Sequence, residues 1–184
     1  MKALFIIILI LPLLTNSQDQ INWMNWDQMM AKRQSDTIPK KVFIDLYTGW
    51  CGWCKRMDAT TFKQKAIVDY MNQKYYAVKF DAETRDTVNF NGIQFVNSDP
   101  LFKKRAINSR GKPHWFAHSI LDGKLSYPSY ALLDENLIRL AIYNGFKQQE
   151  ELIGILFFFG ADQHKYYHNL LYKQWNESNQ KNKQ

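Results

Sequence analysis

Apolar positions along this chain change period several times, and each change marks an element. Lys41-Val42-Phe43-Ile44-Asp45-Leu46-Tyr47 is a β-branched and aromatic run with one acid inside it, the pattern of a buried strand. Tyr75-Tyr76-Ala77-Val78-Lys79-Phe80-Asp81 predicts a second strand. Between them, Thr48-Gly49 turns the chain into a helix that starts around Trp50 to Met57, and helical periodicity resumes from Ala66 to Met71. Strand, helix and strand in that order make a βαβ unit, right-handed and parallel. Upstream, Ile21, Trp23, Met24, Trp26, Met29 and Met30 predict a short amphipathic helix over Ile21 to Arg33, and Pro39 ends the connection to the first strand. Downstream, Thr87 to Phe90 and Ile93 to Val96 flank Asn91-Gly92, the strongest short signal for a hairpin.

A polar stretch to Lys112 and a short helix over Pro113 to Leu121 follow. Ala131 to Leu133 and Leu137 to Tyr143 predict a strand pair across Asp134-Glu135-Asn136. Gln148 to Phe159 reads as an apolar-faced helix that Gln163 to Trp175 extends, and Asn176 to Gln184 as a disordered polar tail. The chain carries no internal repeat. These elements predict one α/β domain over 18–175, a central mixed β-sheet flanked by helices, interrupted by a segment over 84–119.

The first residues follow a different logic. Met1-Lys2-Ala3 precedes an aliphatic and aromatic stretch from Leu4 to Leu14 broken only by Pro12, and polar residues arrive at Thr15. A basic start and an apolar core of roughly 7–15 residues are the marks of a signal peptide, whereas a membrane-spanning helix needs about 20 apolar residues. The expectation is a signal peptide over 1–17, cleavage near Ser17, no integral membrane segment afterwards, and an exported protein that is periplasmic or secreted. The net charge of +7 becomes +6 without Lys2, and Lys103-Lys104-Arg105 is its densest run. Charge scattered in this way is a solvated basic surface; nucleic-acid binders concentrate it on one face, so no nucleic-acid partner is expected.

Only two cysteines occur, Cys51 and Cys54, two residues apart. A disulfide closing so short a loop constrains the unfolded chain weakly, so the value of the pair is chemical. Such a spacing serves a redox couple, half of a zinc site or a soft-metal clamp. A structural zinc site needs four N or S ligands, and the four histidines fall as His114/His118 and His164/His168, without the adjacent glutamate of a metalloprotease motif. No metal site and no cofactor are expected. At the start of a helix, Cys51 meets unpaired N–H groups and the positive end of the macrodipole, which favour a thiolate.

The stretch Phe43-Ile44-Asp45-Leu46-Tyr47-Thr48-Gly49-Trp50-Cys51-Gly52-Trp53-Cys54-Lys55 resembles the active-site strand, turn and helix of the thioredoxin superfamily. In thioredoxins a Trp precedes the first Cys and a Lys follows the second, as Trp50 and Lys55 do here. An acid is buried six residues before the nucleophile, where Asp45 stands. Val78-Lys79-Phe80-Asp81 is similar to the strand whose Lys pairs with that acid, and Tyr127-Pro128 matches the family's cis-proline, which faces the Cys pair. The resemblance runs over roughly Ile38 to Phe159 and implies a thioredoxin-like fold. In such a fold Thr84 to Ser119 is an insertion before the cis-proline strand. The insertion resembles exported bacterial thioredoxin-like proteins, including relatives of the soluble domain of the membrane electron carrier that reduces periplasmic proteins.

What the resemblance implies is a thiol–disulfide oxidoreductase that exchanges with protein clients carrying disulfides or thiols and is served by an unidentified redox partner. Cys51 would be the nucleophile and Cys54 the resolving thiol. Asp45 would move the proton, Lys79 would hold Asp45, and Trp50, Trp53, Tyr127 and Pro128 would receive the client. The Gly52-Trp53 pair departs from the Gly-Pro of thioredoxins, which leaves the redox potential open. Two other readings of the same residues are a copper or other soft-metal carrier and a client-binding module with an idle Cys pair.

Overall fold

The computed structural model describes residues 20–97 and 111–181; the predicted signal peptide and the Lys103-Lys104-Arg105 run lie outside the described residues. Along the chain, β1 (Trp23–Met24) and α1 (Trp26–Ser35) lead into β2 (Lys41–Tyr47), α2 (Gly52–Ala59), a 3-10 turn (Thr61–Lys63), α3 (Lys65–Lys74) and β3 (Tyr75–Asp81). β4 (Val88–Phe90), β5 (Ile93–Phe95) and α4 (Trp115–Ile120) follow, and then β6 (Ser129–Leu133), β7 (Arg139–Asn144), α5 (Gln149–Gly160) and α6 (Gln163–Lys181). Five strands form one sheet in the order β1-β3-β2-β6-β7, and β4 and β5 pair separately. β1, β3 and β2 are parallel, whereas β6 and β7 run antiparallel to their neighbours, so the sheet is mixed as expected.

β2 is the central strand, and its position explains its composition. Side chains alternate between the two faces of a strand. Val42, Ile44 and Leu46 pack with Trp26 and Met29 of α1 and Phe116, Ala117 and Ile120 of α4. On the other face, Phe43 packs with Met57 of α2, Phe62, the α3 residues Ile67, Val68 and Met71, and Leu152, Leu156 and Phe159 of α5. A strand covered on both faces reads as a continuous apolar run, which leaves Lys41 at its start and Asp45 inside it as the exceptions.

Most predicted elements are present within a residue or two of their expected ends. The amphipathic helix expected from Ile21 is a correction: it begins only at Trp26, and Trp23–Met24 are extended, paired with Ala77 and Val78 on the edge of the sheet. Asn25 sets the boundary. Its side chain accepts from the Gln28 N–H while the Gln28 side chain accepts from the Asn25 N–H, a capping box that overrides the apolar period. At the other end, the helix expected to extend α5 is separate from it, because Asp162 adopts a positive φ of 58° between the two. α6 then runs to Lys181, past Asn176 where the polar composition predicts a disordered tail; no Gly or Pro interrupts it.

The described part of the 84–119 segment belongs to the main core. Asn91 and Gly92 carry positive φ values of 50° and 78° and turn β4 into β5. The hairpin leans on Phe116, whose ring lies 4.8 Å from that of Trp26, 5.2 Å from Phe80, 5.5 Å from Phe90 and 5.8 Å from Phe95. Phe116→Ala should therefore cost about 3–5 kcal/mol of global stability and lower a single urea transition. Loosening of the hairpin alone, with the main transition unmoved, would contradict this packing.

Candidate active site

β2 delivers the chain to the site. After Tyr47 the Thr48 carbonyl accepts the Cys51 N–H at 3.1 Å, which closes the turn before α2. Cys51 is the N-cap of α2, and its Sγ accepts the Cys54 N–H at 3.0 Å. A disulfide joins Cys51 to Cys54. Only 3% of Cys51 and 2% of Cys54 is exposed. On reduction, the Cys51 sulfur sits where the free N–H groups of the first helical turn stabilise negative charge. Cys54, already within bonding distance, can return to displace a mixed disulfide.

A charged cluster joins β2 and β3 to α2. Asp45 is 1% exposed, and the parallel register sets it opposite Lys79 on β3. Lys79 Nζ lies 2.8 Å from Asp45 Oδ2 and also contacts Asp58 Oδ1 on α2. One ammonium thus ties two strands to the helix that carries both cysteines. The rings of Trp23, Tyr47 and Phe62 surround it at 5.0, 5.3 and 5.3 Å, cation–π contacts that steady a partly buried charge. Burial pushes the Asp45 carboxyl up; the charge and hydrogen bond of Lys79 oppose this and Asp58 adds to it, so the group titrates at about 6. Burial works against the charge on Lys79 too, but two carboxylates outweigh it and hold the lysine above its ordinary range. The two directions agree: Lys79 has two acids to hold it charged, whereas Asp45 shares its cation with Asp58. Asp45 Oδ1 makes no hydrogen bond within the protein.

A rim of side chains borders the disulfide. The Trp50 indole N–H donates to Glu83 Oε1 at 3.0 Å, and its ring meets Tyr127 edge-on at 6.0 Å. The Tyr127–Pro128 peptide is cis. Pro128 is buried and immediately precedes β6, whose Ser129 pairs with Leu46, so it sits beside the end of β2 from which the Cys turn leaves. Its carbonyl accepts the Gly145 N–H at 2.8 Å. Trp53 is 54% exposed, with Phe146 at 5.7 Å and the Arg56 guanidinium 5.2 Å over its ring.

Of the eight residues singled out in the sequence, Cys51 pairs with Cys54, Asp45 with Lys79, and Trp50 with Tyr127 next to the cis-proline Pro128, while Trp53 meets Phe146. Asp58, Glu83 and Phe146 were not among them. Asp58 had a signal: it follows Cys54 by four residues, the spacing of neighbours on one helix face. Of the two histidine pairs, His114/His118 has its first member engaged in capping. His114 is fully buried as the N-cap of α4, its Nδ1 accepting the Phe116 N–H at 3.0 Å and its Nε2 donating to the Asp86 carbonyl at 2.9 Å. Burial lowers its pKa, as suits a neutral cap with both nitrogens engaged. Among the described residues no group of three or more His, Cys, Asp or Glu is placed to hold a metal ion.

Residues 11–98 match the family Thioredox_DsbH, described as a protein of unknown function, DUF255. An uncharacterised protein of Caenorhabditis elegans is 29% identical over 103 residues, 56% of this chain and 13% of that protein. Spermatogenesis-associated protein 20 of Rattus norvegicus is 26% identical over 89 residues, 47% of this chain and 11% of that protein. The matches therefore cover only a small part of these relatives' own length. Among solved structures, a thioredoxin-fold protein from Helicobacter pylori superposes with a TM-score of 0.53 at 14% identity, covering 82% of this chain and 83% of that one. The fold is the thioredoxin fold.

Asp45 makes stability depend on pH in a direction that can be checked. It titrates at about 6 in the fold against an ordinary 3.8, so between those values the native state binds the proton and the unfolded chain does not. Stability therefore falls as pH rises through that window. Asp45→Asn should flatten this slope and stabilise the protein at pH 8, by up to about 3 kcal/mol, with Lys79 still held by Asp58. Urea titrations at pH 4, 6 and 8 measure it; equal destabilisation at all three would contradict the assignment.

Proposed function

We propose that this chain is a thiol–disulfide oxidoreductase that reduces, or exchanges disulfides with, protein clients in an exported compartment. The observation that carries the reading is the Cys51–Cys54 disulfide at the N-terminus of α2, in a fold whose central strand leading to it holds a buried carboxyl that titrates at about 6. In the reducing direction the Cys51 thiolate attacks a client disulfide, forms a mixed disulfide and expels one client thiolate. Cys54 gives up its proton, with the Asp45 carboxylate as acceptor directly or through a water, and attacks the Cys51 sulfur. The second client thiol leaves, two electrons have passed to the client, and Cys51–Cys54 is a disulfide again. A dithiol partner restores the reduced pair.

Each supporting group has a task. A carboxyl that titrates at about 6 can both accept and release a proton near neutral pH, as general acid–base catalysis requires. Lys79 holds Asp45, while Asp58 takes part of the lysine's charge and so keeps Asp45 basic. Trp50, Trp53 and Tyr127 form an apolar rim for an extended client beside Pro128. The direction toward reduction is supported by Trp50 and Asp45, which match the thioredoxin frame. Export is supported by the basic and then apolar run from Met1 to Leu14. No helix among the described residues is long and apolar enough to cross a membrane.

Trapping tests the order of attack. Reduced Cys54→Ala protein should accumulate a mixed disulfide with a disulfide-bonded peptide through Cys51, seen by mass spectrometry, whereas Cys51→Ala should trap at least tenfold less. Equal trapping by both variants, or by neither, would contradict the assigned roles and favour the metal-carrier or idle-groove reading.

A further inference from the structure

Glu83, two residues beyond β3, is the point where the Cys loop and the 84–119 segment meet. Its Oε1 accepts the Trp50 indole N–H at 3.0 Å and the Gly111 backbone N–H at 2.6 Å. Its backbone carbonyl accepts from Asn97 Nδ2 at 3.2 Å, and the same Asn97 amide donates to the Lys112 carbonyl at 2.9 Å. The preceding residue extends the junction: the Ala82 N–H donates to the Tyr47 carbonyl at 2.8 Å, and the Ala82 carbonyl accepts the His114 N–H at 2.7 Å. The end of β2, the residue before the nucleophile, both sides of the segment and the cap of α4 are therefore held at Ala82–Glu83.

One carboxylate oxygen shared by two donors makes their positions interdependent, and hydrogen bonds to an ionised acceptor are stronger than neutral ones. Trp50 is also the rim residue adjacent to Cys51, and its ring meets Tyr127 beside Pro128. We propose that Glu83 is a positioning residue that fixes the Trp50 indole and the 111–112 backbone as one wall of the client groove, and that this wall sets which extended clients reach Cys51. This rests on the exchange reaction proposed above. Glu83 takes no part in bond making; it acts through Trp50.

The test uses the full chain in its reduced form. Oxidised glutathione serves as a small disulfide and a disulfide-bonded extended peptide as the client, each taking two electrons from the Cys51/Cys54 dithiol. Glu83→Ala should raise KM for the peptide at least fivefold with kcat changed less than twofold, and should speed amide hydrogen exchange at Gly111 at least tenfold. Glu83→Gln, which keeps the shape, should move both in the same direction by less. Trp50→Phe should raise KM on its own, and Trp50→Phe with Glu83→Ala should add less than twofold beyond the larger single effect. A Glu83→Ala protein with KM within twofold of wild type, or fully additive effects in the double variant, overturns the inference alone. Exchange of the wild-type protein with neither disulfide overturns the exchange reading and this inference with it.

Discussion

The constraint that organises this molecule is a carboxyl group that the fold removes from water and then gives only half of a cation. Asp45 occupies the middle of the central strand, and the parallel register of β2 and β3 presents Lys79 to it. A shift of that register by one residue would turn Lys79 to the opposite face and leave a buried charge without its partner, a costly state. The pair therefore fixes the register. Because Lys79 also serves Asp58, the compensation is incomplete and Asp45 retains affinity for a proton near neutral pH. A group that costs stability when ionised is thereby kept in the strand that leads to the Cys pair, a feature in keeping with a functional site.

From that strand the site is built outward. α2 is tied to the sheet through Asp58 and through Met57 in the core, and its N-terminus holds Cys51 as a cap. The rim comes from elements far apart in sequence: Trp50 before α2, Tyr127 and Pro128 before β6, and Phe146 after β7 beneath Trp53. The 84–119 segment contributes to the same core through Phe116 and to the same rim through Glu83.

Much of this was legible in the sequence. β2 and β3 showed as runs because both faces of the central sheet are covered, and Asn91-Gly92 marked its hairpin through the positive φ values that turn demands. The Cys pair, Asp45, Lys79 and Pro128 could be named because their spacing matches a known family; the structure pairs Asp45 with Lys79 and makes the Tyr127–Pro128 bond cis. What escaped depended on short or distant interactions. β1 has only two residues, too few to show a period, and the start of α1 was decided by the Asn25 cap. α6 outran its polar composition because Gln, Lys, Leu and Glu are good helix formers and no Gly or Pro interrupts them. Glu83 acts across the fold on Trp50, a contact that no local pattern encodes, and the helical spacing of Asp58 from Cys54 does not by itself name Lys79 as its partner. His114 showed a helical spacing to His118 that suited a ligand pair, yet it serves as a cap.

The most direct test of the central claim is the equilibrium of the Cys51–Cys54 pair against defined thiol buffers. The account predicts a reversible two-electron couple, near about −270 mV if the protein is a reductant; a value near about −120 mV would make it an oxidant and contradict the proposed direction. A pair that shows no reversible couple would contradict the redox assignment itself.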